Sequence, residues 1–266
     1  MWNAWGVWKG VRRLLETGLY NMDCLDGMKL IDDGTVDLIL TDLPYGITQC
    51  EWDKLVPLDL FWEQAKRIIK DHGAIVLTAK QPFTTDLINS NREWYRYNLV
   101  WVKNISTGFY NANVMPLQTH EDICVFYKHK PTYNPQMETG FERKVSKASS
   151  KRKCQSAEIY NKAICTKDYD STERYPISLL YFESDKHKNA LHPTQKPLAM
   201  FEYLIRTFSN KGDLVVDCCS GSNTTGIACR NTDRKYIGFE KEKKYFDIGT
   251  ERYNQEFSQI KLTDYL

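Results

Sequence analysis

Asp217-Cys218-Cys219-Ser220-Gly221-Ser222-Asn223-Thr224-Thr225-Gly226 is the stretch on which the fold turns. It follows the apolar run Asp213 to Cys218, which reads as a buried strand, and opens Thr224 to Arg230, which reads as a helix. Small residues between the two let the backbone approach a ligand closely, at the carboxyl edge where open α/β sheets bind. The next strand, Lys235 to Glu240, ends in an acid placed to accept hydrogen bonds from both hydroxyls of a ribose. A glycine-containing turn alone is as often a tight strand-to-helix connection as a ligand site. Turn plus acid is more specific, yet it leaves a nicotinamide cofactor and S-adenosylmethionine both open. The missing G-x-G-x-x-G order weighs against a dinucleotide.

Working outward, the chain alternates strand and helix. Val36 to Thr41 reads as a strand stopped by a turn at Asp42-Leu43-Pro44-Tyr45-Gly46. Pro57 to Lys70 has helical spacing and closes near Gly73, Ala74 to Thr78 is a strand, and Pro82 to Asn89 is helical. Tyr97 to Val102 and Ile123 to Tyr127 are further strands. Pro197 to Phe208 is an amphipathic helix through Leu198, Phe201, Leu204, Ile205 and Phe208, and Glu242 to Tyr253 closes the chain. The alternation predicts a largely parallel sheet covered on both faces. Between Lys128 and Lys188 the periodicity dissolves into charges, tyrosines and the breakers Pro131 and Pro135, so that span reads as an insert.

Composition narrows the class. The 266 residues, 42% hydrophobic and 26% charged, suit a globular protein with a sizeable core. No apolar run approaches the roughly 20 residues of a membrane helix. The net charge of +2 is too small to argue for nucleic acid by itself. Its distribution is more telling: Arg143, Lys144, Lys147, Lys151, Arg152 and Lys153 run without an intervening acid. Taken alone, such a run is usually a solvated face. The eight cysteines contain no C-x-x-C pair, which argues against zinc and a disulfide framework and fits a reducing cytoplasm. Trp2, Trp5 and Trp8 recur every three residues, as in a short helix packed on the domain or a peripheral extension.

Asp42-Leu43-Pro44-Tyr45 carries a second chemistry. An exocyclic base amine is a poor nucleophile because its lone pair is delocalised into the ring. To attack a sulfonium methyl the nitrogen must become more pyramidal, and two acceptors on its N–H groups hold it so. The Asp42 carboxylate is one candidate acceptor and the Leu43 carbonyl the other, with Pro44 biasing Leu43 to an extended conformation. Tyr45 offers a ring on which a base rotated out of a duplex can stack. Without context, an acid-x-Pro-Tyr at a strand end is usually just a turn.

Together these residues resemble the β class of DNA amino-methyltransferases, in which a catalytic D-P-P-Y segment precedes the cofactor-binding F-x-G-x-G segment. Asp42 to Gly46 corresponds to the former, with Leu43 in place of the first proline. Asp217 to Thr225 is similar to the family's D-P-F-x-G-S-G-T-T, with Cys219 for the phenylalanine and Asn223 for the third small residue. His192-Pro193-Thr194-Gln195-Lys196-Pro197 resembles the family's H-P-T-Q-K-P, and Tyr20 to Leu25 its adenine-pocket segment. Family-like text also occurs at Trp101-Val102-Lys103, Gly108-Phe109, Asn111-Ala112, His120-Glu121-Asp122 and Phe126-Tyr127-Lys128.

The resemblance implies a three-layer, Rossmann-like methyltransferase fold with one antiparallel strand and a circularly permuted motif order. Its domains would be an extension (1–17), a catalytic half (18–127), a target-recognition insert (128–188) and a cofactor-binding half (189–266). It implies S-adenosylmethionine bound by Asp23, Cys24, Asp42, His192, Thr194, Gln195, Lys196, Asp217, Cys219, Gly221, Ser222, Asn223, Thr224 and Glu240. Catalysis would fall to Asp42, Leu43, Pro44 and Tyr45, with no metal. The basic run becomes a set of phosphate contacts to double-stranded DNA. Tyr133, Tyr160, Tyr169 and Tyr175 are better read as structural.

Aspartate at position 42 favours adenine N6, since cytosine-N4 members mostly carry serine there. Cytosine, a protein amide such as a glutamine side chain, and a binder that has lost catalysis stay open as alternatives. A cytoplasmic, nucleoid-associated place in a bacterial or phage-infected cell fits the resemblance. So do a homodimer, a partner restriction endonuclease and no membrane.

Overall fold

The computed structural model describes residues 15–47, 50, 53–147, 168–184 and 195–263, with side chains described to 255. Trp2, Trp5, Trp8, Lys151, Arg152, Lys153, Tyr160, His192 and Thr194 lie outside the described residues.

The chain begins with β1 (Gly18–Asn21) and α1 (Cys24–Met28), whose N-cap Asp23 accepts the Leu25 N–H at 2.9 Å. Next come β2 (Val36–Thr41), α2 (Leu58–Ile68), β3 (Ile69–Ala79), α3 (Phe83–Ser90), β4 (Tyr95–Thr107) and β5 (Gln118–Phe126). After β6 (Lys144–Ser146), β7 (Tyr169–Ser171) and β8 (Leu179–Tyr181) the pattern returns. It continues with α4 (Leu198–Phe208), β9 (Leu214–Asp217), α5 (Thr224–Asn231), β10 (Lys235–Glu240) and α6 (Lys243–Thr263).

Eight of these strands form one sheet in the order β1-β10-β9-β2-β3-β5-β4-β8. All neighbouring pairs are parallel except the two that β5 makes, with β3 and with β4. β5 is thus the one antiparallel strand among the described ones of this sheet. The period of 2 along a strand sends neighbouring residues to opposite faces. Accordingly Ile39 joins Ile75, Leu77, Val216 and Phe239 in one core, against Phe61, Trp62, Ala65 and Ile68 of α2 and Phe83 and Leu87 of α3. Leu38 and Leu40 join Ala74, Val76 and Val215 in the other, against Met200, Phe201, Leu204 and Ile205 of α4 and Ala228 and Cys229 of α5. Two apolar layers on one doubly covered sheet make the three-layer α/β architecture.

The permuted order is resolved in the sheet. β2 and β9 stand side by side, with Leu38 opposite Val215 and Ile39 opposite Val216, although 177 residues separate them. From that seam β3 departs one way and β10 the other, under helices on opposite faces. Such a switch point leaves a crevice at the strands' carboxyl ends.

Residues up to Asn134 and from Ser178 form one compact unit, and Pro135–Ile177 forms another. This second unit is narrower than the span 128–188 read from the sequence. β8 pairs with β4 in the large sheet, an edge strand too short for periodicity to reveal. In the small unit β6 and β7 pair antiparallel, and Glu138 bridges to Arg174. Cys24, Cys50, Cys124, Cys218, Cys219 and Cys229 are free thiols. No helix among the described residues is long and apolar enough to cross a membrane.

Candidate active site

At the seam of β2 and β9 lies a cavity of about 560 Å³, within the usual range for a small-molecule pocket. Asp42 to Tyr45 at the end of β2 line one part, and Asp217 to Ser222 after β9 line another. The Thr41 hydroxyl oxygen accepts the N–H groups of Cys218 and Cys219, each at 3.2 Å, so the two strand ends are sewn together.

The turn after β9 is held from within. Asp217 accepts the Cys219 N–H at 3.0 Å and the Thr225 hydroxyl, and burial pushes its carboxyl up to about 6 against those bonds. Asn223 has φ of 61°, the left-handed region that asparagine tolerates better than most residues. Its departure from a small residue is therefore tolerated by the backbone. Its side chain is buried, with Nδ2 donating to the Gly249 carbonyl at 3.4 Å, and it is not among the cavity-lining residues.

Glu240 ends β10 and is buried. One oxygen accepts the Gly221 N–H and the other the Glu242 N–H, both at 2.8 Å. Burial raises its carboxyl above the ordinary value while those bonds oppose the rise. A carboxylate can accept about four hydrogen bonds, so capacity is left beyond these, which suits a vicinal diol. Asp23 and Cys24, at the start of α1, line the same end of the cavity. The Cys219 thiol is raised well above its usual value by its hydrogen bond with Cys24 and by burial. It therefore stays a neutral wall rather than a thiolate.

Around Asp42 the cavity holds a chain of charges. Asp42 Oδ1 accepts the Tyr45 hydroxyl at 2.6 Å and the Thr78 hydroxyl. The Lys196 ammonium pairs with Asp42 Oδ2 at 2.9 Å and with Glu121 Oε2 at 3.0 Å, and Lys103 pairs with the other oxygen of Glu121. Burial would raise the Glu121 carboxyl, but Lys196 and Lys103 outweigh it and hold it at about 2. Burial would likewise lower Lys196, and Asp42, Tyr45 and Glu121 hold it well above its usual value. Burial, with Asp42 alongside, raises the Tyr45 phenol well above its usual range, so it remains a donor.

The Tyr45 ring stacks on Phe83, with centroids 5.4 Å apart and planes at 25°, and the Lys196 nitrogen lies over the ring at 5.4 Å. Behind this motif the buried Asp53 carboxylate accepts the Gly46 and Ile47 N–H groups at 2.9 and 3.0 Å. Gly46 turns the chain at φ of 66°, and a Cβ there would lie 2.8 Å from Leu55.

The structure thus gathers Asp23, Cys24, Asp42, Leu43, Pro44, Tyr45, Gln195, Lys196, Asp217, Cys219, Gly221, Ser222, Thr224 and Glu240 around one cavity. Lys196, expected on the cofactor side, sits on Asp42. Thr78, Phe83, Asp53, Lys103 and Glu121 have no role in the sequence reading. Only the family-like text around Lys103 and Glu121 flagged two of them, because a residue's neighbours across a sheet leave no mark in local spacing. In the small unit Arg143, first of the basic run, grips both oxygens of Asp170 at 2.7 and 2.6 Å. Lys144 and Lys147 are exposed there. Among the described residues no group of His, Cys, Asp or Glu is placed to hold a metal ion.

Residues 36–251 match the model of a family described as DNA methylase. Among curated proteins the chain is 25% identical over 260 residues to the Type II methyltransferase M.HpaI of Haemophilus parainfluenzae, covering 92% of this chain and 76% of that one. It is 28% identical to the DNA adenine methyltransferase YhdJ of Escherichia coli K12, covering 86% and 80%. Among solved structures, M1.HpyAVI with S-adenosylmethionine superposes with a TM-score of 0.61 at 24% identity, covering 89% of this chain and 98% of that one. The cytosine-N4-specific PvuII DNA methyltransferase superposes at 0.64 and 16%, covering 93% of each, a likeness of fold.

Proposed function

The chain belongs to the DNA methylase family whose members act on adenine N6 and cytosine N4, and on that premise we propose that it methylates adenine N6 within a specific DNA sequence. It is a DNA methyltransferase, and S-adenosylmethionine is its cofactor. The cavity fits that cofactor: a buried acid with spare acceptor sites at one end, Glu240, and a carboxylate beside an aromatic ring at the other, Asp42 with Tyr45. When bound, the cofactor supplies a methyl group on a sulfonium. Glu240 would hold its ribose, Asp23 and Cys24 would wall its adenine, and the turn from Asp217 to Thr224 would line the rest.

The observation that carries the reading is the Asp42 carboxylate at the cavity's catalytic end, with Tyr45 bonded to it at 2.6 Å. In this reading Asp42 accepts one N–H of the amine and the Leu43 carbonyl the other, which restores lone-pair density to the nitrogen. Tyr45 presents the base with the ring face not covered by Phe83. Lys196 lies over that ring and on that carboxylate, so it withdraws as the base enters and keeps its pair with Glu121. A carboxylate rather than a hydroxyl at position 42 favours adenine over cytosine. The small unit, with its basic stretch from Arg143, would supply the phosphate contacts and base readout.

The test is transfer of labelled methyl from S-adenosylmethionine to unmethylated bacterial DNA, followed by nucleoside analysis. Label in N6-methyladenine supports the reading, and label in N4-methylcytosine overturns the choice of base. No label in DNA, with the cofactor bound, moves the weight to another amine substrate or to a binder without catalysis.

A further inference from the structure

Residues 104–118, from the end of β4 into β5, carry no charged side chain. Their middle folds on itself. Gly108, at φ of 92°, starts a single 3-10 turn over Phe109–Asn111, and the Ala112 and Met115 N–H groups donate to the Phe109 and Asn111 carbonyls at 3.1 and 2.9 Å. This self-bonded loop turns its large apolar side chains outward. Tyr110 is fully exposed at 106%, Val114 at 84%, Phe109 at 67% and Met115 at 57%. Four such side chains on one short loop exceed the scattered exposure of an ordinary surface and mark a contact site.

The loop's place identifies its occupant. Lys103, Ile105 and Thr107, the last turns of β4 before it, line the active-site cavity, so it springs from the cavity's rim. The substrate is DNA, and an amine paired inside a duplex cannot reach Asp42, which lines that cavity. The base must leave the stack, and extrusion leaves a gap between its neighbours. Apolar side chains inserted between base steps are the usual filler of such a gap, whereas phosphate contact calls for cations, which this loop lacks.

We propose that residues 108–117 form a wedge that enters the base stack where the target base has left it, with Phe109 and Tyr110 as the stacking residues. This rests on the reading that the methylated base is extruded from duplex DNA. The wedge stabilises the open duplex and takes no part in methyl transfer itself.

The experiment first maps the methylated position in unmethylated plasmid DNA with the wild-type protein. It then compares Phe109→Ser/Tyr110→Ser with wild type on two synthetic duplexes, one intact and one with an abasic residue opposite the target. The variant should bind S-adenosylmethionine as wild type does and lose about ten-fold or more in transfer to the intact duplex. On the abasic duplex, already open, it should recover to within about three-fold of wild type. Wild-type transfer to the intact duplex overturns the proposal, as does an equal loss on both duplexes. A changed sedimentation mass with unchanged transfer assigns the loop to a second copy of the chain instead. Failure of the wild-type protein to modify any DNA strikes the functional reading rather than the loop.

Discussion

The Lys196 ammonium stands 2.9 Å from Asp42 Oδ2, on the carboxylate proposed to receive the substrate amine. It also stands 3.0 Å from Glu121, which places the two carboxylates within about 6 Å of each other around one nitrogen. The ammonium therefore answers two carboxylates in a buried setting and, with Lys103, holds the Glu121 carboxyl low, and Glu121 gives it a partner when the amine takes Asp42.

Lys196→Met should reveal that role through pH rather than through a simple loss. Without the ammonium, Glu121 keeps only Lys103 against the effect of burial, so its carboxyl rises from about 2. The fall in Tm between about pH 4.5 and 2, which the depressed Glu121 carboxyl contributes in wild type, should therefore be shallower in the variant. A wild-type acid fall retained in the variant removes Lys196 from the control of Glu121.

Asp42 and Tyr45 separate by what each substitution removes. Asp42→Ala should abolish transfer while S-adenosylmethionine still binds, because Glu240 and the turn after β9 are untouched. Tyr45→Phe keeps the ring on Phe83 and loses the hydroxyl's 2.6 Å bond to Asp42, about 1.5–3 kcal/mol for a hydrogen bond to a charged group, together with the long 3.4 Å bond it accepts from Lys196. Tyr45→Ala loses the stacking face as well and should raise KM for DNA further than Tyr45→Phe does. Equal KM values for the two variants would remove the ring from base binding.

Glu240→Ala should weaken S-adenosylmethionine binding by about ten- to a hundred-fold, the worth of one charge-assisted hydrogen bond or slightly more. Glu240→Gln keeps one acceptor oxygen and should lose less. Calorimetric titration of the two variants checks the order, and equal, wild-type affinities would move the ribose elsewhere.

Asp217 makes stability depend on pH in an unusual direction. Its folded value of about 6 lies above the ordinary 3.8, so its contribution is fully present below about 3.8 and lost as pH rises through about 6. That loss is of order 3 kcal/mol at neutral pH. Glu121, held at about 2, contributes with the opposite sign, its stabilisation being lost as pH falls from about 4.5 toward 2. The Tm of Asp217→Asn should accordingly vary less between pH 4 and 7 than that of wild type, and the two should share the acid fall. A wild-type slope retained in the variant between pH 4 and 7 would falsify this account.

Much of the fold was legible because it rests on local period. β2, α2, α4, β9, α5 and β10 fall within a residue or two of the spans read from apolar spacing, since each buries a face or stripe that repeats along the chain. β1 and β8 were not legible as strands. They are sheet edges of four and three residues, too short to show a period, and they exist because β10 and β4 offer them unpaired backbone.

The sequence by itself determined the order of motifs, the strand-end positions of Asp42 and Asp217, and the acid at Glu240, because strand ends and turns are written in adjacent residues. Only the tertiary structure decided that Lys196 lies on Asp42, that Glu121 and Lys103 share its charge, and that Asp170 answers Arg143. Those pairings depend on which strands become neighbours and on how burial strengthens a charge's need for a partner. Neither is encoded in the spacing along the chain.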